Sequence, residues 1–203
     1  MEPRRCYGCM NMIEEETCPH CGHSANQHNQ PHQLPAGTIL KNQFQVGRVL
    51  GQGGFGITYI GLDLNLDTVV AIKEFFPVAI VNRDVAQGLS VRLNAEDSKE
   101  QYEACRDRFL REARALAKLQ DIREIVSVRS LFQENNTAYI TMEYVQGADL
   151  RHFVRQKGGQ MSVQSLFAVI EPTLRALNTV HKAGLVHRDI SPDNIMLQPG
   201  GGA

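Results

Sequence analysis

LGQGGFGITY, Leu50 to Tyr59, stands shortly before TVVAIKEFF, Thr68 to Phe76. The first stretch carries Gly51, Gly53 and Gly56 in a G-x-G-x-x-G pattern, and the second is a β-branched run suited to a buried strand, interrupted by Lys73. Between a strand and a helix, such glycines would indicate a dinucleotide fold. Here strand-like sequence lies on both sides, because ILKNQFQVGRVLG, Ile39 to Gly51, leads into the glycines. A strand-turn-strand lid fits better. Glycine backbone lets N–H groups approach a polyphosphate with no side chain in the way, although the same glycines also serve a plain turn.

A lysine with apolar neighbours needs an anionic partner or loses its charge. Glu112 is the candidate, on the amphipathic helix predicted for SKEQYEACRDRFLREARALAKL, Ser98 to Leu119, where Phe109, Leu110, Ala113, Leu116 and Ala117 recur at helical spacing. The plainer alternative makes Glu112 an exposed helix residue and Lys73 an edge-strand cation. Cys105 on this helix reads as a small core residue. SVRSLFQENNTAYITMEYV, Ser127 to Val145, predicts a hairpin turning at Glu134-Asn135-Asn136, and the connection from Phe76 to Ser98 holds one short strand around Leu89 to Leu93. VQSLFAVIEPTLRALNTVHKAG, Val163 to Gly184, predicts a long helix containing Pro172. Strands come first and helices later, the ordering of an α+β body with segregated layers.

The first 23 residues differ from the rest. Cys6-x2-Cys9 and Cys18-x2-Cys21, eight residues apart, form two knuckles that together offer four thiolates to one tetrahedral ion. Four soft ligands select zinc or iron–sulfur chemistry, and zinc is preferred for a module too small for a hydrophobic core. Two disulfides are disfavoured in a reducing compartment, and free thiols by the paired spacing. His20 and His23 flank the second knuckle and read as loop-surface residues. SANQHNQPHQLPAG, Ser24 to Gly37, is polar, contains two prolines and reads as a linker.

With 42% hydrophobic and 21% charged residues among 203, the chain has enough apolar sequence for a core. Its 21 Lys+Arg against 22 Asp+Glu give no global attraction to nucleic acid or an anionic membrane. It shows neither an apolar run of membrane-spanning length nor a basic start followed by an apolar stretch, so a cytosolic location is expected.

LGQGGFGITY, VVAIKEFF, FLREARAL (Phe109 to Leu116), TMEYVQGADL (Thr141 to Leu150) and LVHRDISPDNIML (Leu185 to Leu197) follow one another in the order and rough spacing of the eukaryotic-like protein kinases. The chain resembles that family, its bacterial serine/threonine branch in particular, from about Lys41 to Leu197. After the zinc ribbon at 1–23 and a linker at 24–40, the resemblance implies an N-lobe of antiparallel sheet plus one helix at 41–147 and a partial helical C-lobe at 148–203. It implies ATP and magnesium as cofactors beside zinc, and a protein hydroxyl as acceptor.

In that pattern Gly51, Gly53 and Gly56 would cover the phosphates, and Val46, Leu50 and Ala71 would offer apolar surface to the adenine. Lys73 would hold the α and β phosphates, steadied by Glu112. Glu143 and Val145 would be the hinge that reads the adenine edge, with Met142 at the back of the pocket and Asp149 near the ribose. Asp189 would accept or orient the proton of the attacking hydroxyl, Asn194 would ligate magnesium, and His187 and Arg188 would support the loop. The ribbon resembles short CxxC…CPHCG modules that serve structural or protein-contact roles.

Two departures stand out. Ser191 occupies a position where serine/threonine kinases carry a lysine, and no aspartate follows Asn194 where the family places a second magnesium ligand. The expectation is a kinase cut short: inactive alone, with apolar surface left bare on the Val163 to Val180 helix. The alternative function is a nucleotide-binding pseudokinase or scaffold.

Overall fold

A computed structural model describes residues 3–119, 122–187 and 189–198, in two compact units: 1–114 with 128–144, and 115–127 with 145–203. The first unit opens with the paired two-residue strands β1 (Arg4–Arg5) and β2 (Met12–Ile13). Its main sheet comprises β3 (Ile39–Leu40), β4 (Phe44–Gly53), β5 (Gly56–Asp63), β6 (Thr68–Phe75), then β9 (Val128–Glu134) and β10 (Thr137–Glu143), in the antiparallel order β3-β4-β5-β6-β10-β9. Between β6 and the helix α1 (Lys99–Leu116) lies a small ladder, β7 (Val81–Asn82) with β8 (Arg92–Leu93).

Local chemistry fixes the turns. Asn135 and Asn136 both take positive φ, 52° and 56°, the backbone that a two-residue hairpin twisting with its strands requires. Asp63 accepts from the N–H groups of Asn65 (3.0 Å) and Leu66 (3.3 Å), closing the β5–β6 connection. The apolar side of α1 packs Tyr102, Phe109 and Leu110 against the sheet, with Phe75 5.4 Å from both Tyr102 and Phe109, and Cys105 partly buried beside them.

Glu74, next to Lys73 and hence on the opposite face of β6, is fully buried and ion-paired to Arg83, itself fully buried. Glu74 also accepts from the hydroxyls of Tyr59 (2.9 Å) and Tyr139 (3.0 Å), while Arg83 donates to the carbonyls of Leu89 (2.7 Å) and His32 (3.2 Å). Burial opposes the Arg83 charge, but the Glu74 carboxylate outweighs it and holds the guanidinium protonated; the two phenols are driven upward by burial and by the same carboxylate. This network ties the 76–93 connection to the back of the sheet.

The stretch from Ser24 to Gly37, whose composition reads as a linker, is built into the unit. Leu34 is fully buried, its N–H donates to the Tyr59 hydroxyl at 3.1 Å, and Asn29 bonds the carbonyls of Leu34 and Gly47. A polar composition hides this because its contacts are hydrogen bonds to strand backbone, which leave no apolar periodicity.

In the second unit β11 (Ala148–Asp149) pairs with β12 (Met196–Leu197), flanking α2 (Leu150–Gln156) and α3 (Val163–Lys182). Ser162 caps α3 by accepting from Ser165 N–H at 3.1 Å, and Gly184 at φ 76° follows its end. Val169, Ala176 and Val180 form its buried stripe, while Val163, Leu166, Phe167 and Leu174 are exposed. No helix among the described residues is long and apolar enough to cross a membrane.

Candidate functional site

The glycine turn closes the β4–β5 hairpin, with Gly53 opposite Gly56 and Gly51 opposite Thr58. Its tip is open to solvent, Phe55 being 75% exposed, and Leu50 lies at the surface just before it. Register places the neighbouring groups. Thr58 faces Lys73, Ile60 faces Ala71, and across the next ladder Lys73 faces Ile140 and Ala71 faces Met142. Residues directly opposite on antiparallel strands share a face, so Thr58, Ala71, Lys73 and Met142 line one side of the sheet. A Cβ on Gly56 would lie 3.9 Å from Lys73 Cε, so the lysine stem runs directly beside the last glycine of the turn. Glu143 ends β10, half-buried, and the half-buried Val145 follows two residues later.

Three sequence expectations are corrected here. Lys73 is exposed rather than buried. No carboxylate among the described residues lies within ion-pair distance of it, because Glu112 sits on the solvent side of α1 and pairs with Arg108 at 3.7 Å. Val46 is fully buried in the sheet core and offers no surface to a ligand.

In the second unit, Asn194 ends a single 3-10 turn, Pro192–Asn194, and its side-chain amide donates to the Asp189 carbonyl (2.9 Å) and carboxylate (3.0 Å). The two expected loop residues are thus locked together, both exposed. Asp193 between them holds Arg151 of α2 through paired contacts of 2.5 and 2.7 Å, which keep its carboxyl below the usual range. Asp149 caps α2, accepting from His152 N–H at 2.6 Å through one oxygen. His187 is exposed, and Arg188 lies outside the described residues.

The four cysteines converge. Their sulfurs lie within 4.8 Å of one another, with Cys6–Cys21 at 3.7 Å and Cys9–Cys18 at 3.6 Å. Zinc–sulfur bonds of about 2.3 Å in a tetrahedron put sulfurs about 3.8 Å apart, so the donor set fits the ion, whereas a disulfide needs about 2.05 Å. The knuckles fold by the same device: Met10 N–H donates to the Cys6 carbonyl (2.7 Å) and Gly22 N–H to the Cys18 carbonyl (2.8 Å), with both donors at positive φ. Burial pushes the Cys6 thiol up and the Cys21 thiol up to about 12; at Cys18 burial is outweighed by hydrogen bonds from the Cys21 and His20 backbone and neighbouring thiols, bringing it down to about 6.

Residues 44–202 match the protein kinase domain family model. The chain belongs to the protein kinase family. The chain is 31% identical over 173 residues to the probable serine/threonine-protein kinase pknA2 of Bifidobacterium longum, a match covering 85% of this chain and 20% of the relative. It is 31% identical to PknL of Mycobacterium tuberculosis, covering 80% of this chain and 35% of that protein, and 33% identical to PrkC of Bacillus subtilis, covering 79% and 22%. Among solved structures, the apo form of PpkA-294 superposes with a TM-score of 0.76 at 32% identity, over 84% of this chain and 59% of that one. The Mycobacterium tuberculosis PknI kinase domain, at a TM-score of 0.61 and 24% identity over 82% of this chain and 58% of that one, shares the fold. The chain thus spans between a fifth and about a third of the length of these curated relatives.

Sequence reading missed Thr58 on the Lys73 face and the contacts that Gln52, inside the glycine turn, makes with residues before the sheet. The glycine spacing marks the turn, but strand register is needed to find its neighbours.

Proposed function

We propose that this chain binds Mg·ATP and carries the groups that transfer the γ-phosphate to a serine or threonine hydroxyl of a protein. The observation that carries the reading is the bonded pair Asp189–Asn194 in the loop that the family uses for chemistry. Asn194 spends its amide nitrogen on Asp189, which leaves its oxygen as the atom to meet magnesium; the Asp189 carboxylate is the acceptor for the substrate hydroxyl proton. Lys73 beside Gly56 supplies the cation for the α and β phosphates, with the apolar surface of Leu50 and Ala71 and the hinge residues Glu143 and Val145 for the adenine, and Asp149 for the ribose. Phosphoryl transfer through a loose transition state depends on positioning and charge neutralisation, which these groups provide.

The cysteine module holds zinc in this reading, supported by four thiols at tetrahedral spacing. The boundaries are 1–23 for the ribbon, 41–147 for the N-lobe and 148–203 for the C-lobe portion, and the reduced thiols suit a cytosolic setting.

The test is transfer of label from Mg·[γ-32P]ATP to the chain or a generic protein acceptor. Label incorporation that Asp189→Ala abolishes supports the enzyme. A second reading, a nucleotide-binding scaffold without transfer, is favoured by the separation of Lys73 from Glu112; ATP-induced thermal stabilisation with no label incorporated would establish it instead.

A further inference from the structure

The first cysteine knuckle touches the strand that leads into the glycine turn. Tyr7 and Gly8, the two residues between Cys6 and Cys9, turn their carbonyls to Arg48 of β4: Tyr7 O accepts from Arg48 N–H at 2.8 Å and Gly8 O from Arg48 Nε at 2.9 Å. Gly8 also lies against the second knuckle, since a Cβ there would come within 2.9 Å of Cys21 Sγ. Met10, just after Cys9, is buried with Ile60 and Leu62 of β5, beside Val69 and Tyr144. The segment after the knuckles continues the grip. Asn29 accepts from Val49 N–H at 3.2 Å and donates to the Gly47 carbonyl at 3.0 Å. Gln33 Nε2 donates to Gln52 Oε1 at 2.7 Å, and His32 Nε2 stands 3.1 Å from the same oxygen.

These contacts fall where β4 is least held by its own sheet. The β4–β5 ladder shifts register between Val46 and Val49 and again between Val49 and Gly51. An irregular ladder leaves backbone groups without strand partners. The partners of Arg48 and Val49 come from the cysteine module and from Asn29, immediately before Leu50, Gly51 and Gly53.

From this we infer that the cysteine module and residues 29–33 form a metal-dependent clasp on the glycine-rich turn, so that occupancy of the four-thiol site sets nucleotide affinity. The inference rests on the zinc and nucleotide readings above and adds the coupling between them. Its physical basis is the poverty of the module's own core, which consists of Cys6, Ile13 and Cys18 with Cys9 packed alongside. A module of that size takes its folding energy from the ion. Without the ion the Tyr7 and Gly8 carbonyls lose their fixed positions, β4 loosens between Gly47 and Gln52, and the turn must be ordered when nucleotide binds. Ordering at that moment subtracts from affinity. Asn29, Arg48 and Gln52 are thereby positioning residues, acting on nucleotide through the backbone of the turn.

The experiment uses the whole 203-residue chain. Zinc content, affinity for fluorescent mant-ATP with magnesium, and amide exchange of peptides spanning 44–53 are measured before and after chelation, and again after zinc is restored. The expected result is a loss of affinity of about fivefold or more on zinc removal, within the usual span of coupling between sites, together with faster exchange in 44–53, both reversed by zinc. In the double variant Asn29→Ala, Gln52→Ala, zinc remains bound, nucleotide affinity is already reduced, and chelation removes less than in the parent chain. Loss of zinc with unchanged affinity and unchanged exchange overturns the clasp. If the chain takes up no zinc, the metal-dependent clasp falls together with the zinc reading, while mant-ATP binding by that zinc-free chain still tests the nucleotide reading by itself. A zinc-loaded chain that binds no mant-ATP overturns both the clasp and the nucleotide reading.

Discussion

Glu112 places its carboxylate 3.7 Å from Arg108 Nε, one helical turn back along α1. Both side chains are more than half exposed, so the pair contributes little to stability, about 0.5 kcal/mol or less. Glu112→Gln should therefore leave the thermal midpoint nearly unchanged. If Glu112 turns to Lys73 during the reaction, the same substitution lowers phosphoryl transfer by about tenfold or more, while Arg108→Ala does not. Equal loss in both variants would contradict that role.

The buried pair Glu74–Arg83 behaves oppositely. Removing one member strands a charge in the core, so Arg83→Ala should cost about 3–5 kcal/mol in urea denaturation. Tyr59→Phe, which deletes one of several hydrogen bonds to the carboxylate, should cost about 1–2 kcal/mol. A small effect of Arg83→Ala would show that the 76–93 connection is held by its apolar residues Val81 and Val91 instead.

That network marks where sequence reading stops. The hairpin at Asn135-Asn136, the helix at 99–116 and the glycine turn were legible because each rests on local rules: positive-φ residues, helical spacing, glycine pattern. The four cysteines were legible because ligand spacing within a knuckle is short-range. The pairing of Glu74 with Arg83 leaves no local signal; only the alternation of β6, fixed by its register with β5 and β10, turns Glu74 toward Arg83, Tyr59 and Tyr139. Segment 29–34 was misread for the same reason, since Asn29, Gln33 and Leu34 find their partners on strands far along the chain.

If the four thiols hold zinc, as proposed, acid should release it. Zinc binds thiolates, and burial holds Cys6 and Cys21 protonated at neutral pH in the metal-free chain, whereas Cys18 is down at about 6. Binding then expels protons, so zinc affinity falls as pH falls. Competition with a chromophoric chelator between pH 8 and pH 6 should show affinity dropping by more than tenfold per pH unit, reflecting more than one proton exchanged. A pH-independent affinity would exclude thiolate ligation.

Gly47 sits where the cysteine module meets β4. A Cβ there would come 2.3 Å from Met10 Cε, 2.5 Å from the Tyr7 carbonyl and 2.8 Å from Ile60 Cγ2. The methionine tip can move, but the backbone carbonyl cannot without the knuckle moving too. Gly47→Ala should push the module off the sheet at a cost of about 1–3 kcal/mol, seen as faster proteolysis between residues 24 and 40 with zinc retained. Wild-type protease resistance would show that the interface tolerates the methyl group.

Calorimetric titration of Mg·ATP into the whole chain and into its Lys73→Met variant tests the proposed nucleotide site most directly. The arrangement of Lys73 beside Gly56 predicts saturable one-to-one binding in the parent chain and a loss of about tenfold or more in the variant, with the thermal midpoint preserved because Lys73 is exposed. Equal affinity in the two proteins, or no binding in the parent, would contradict it.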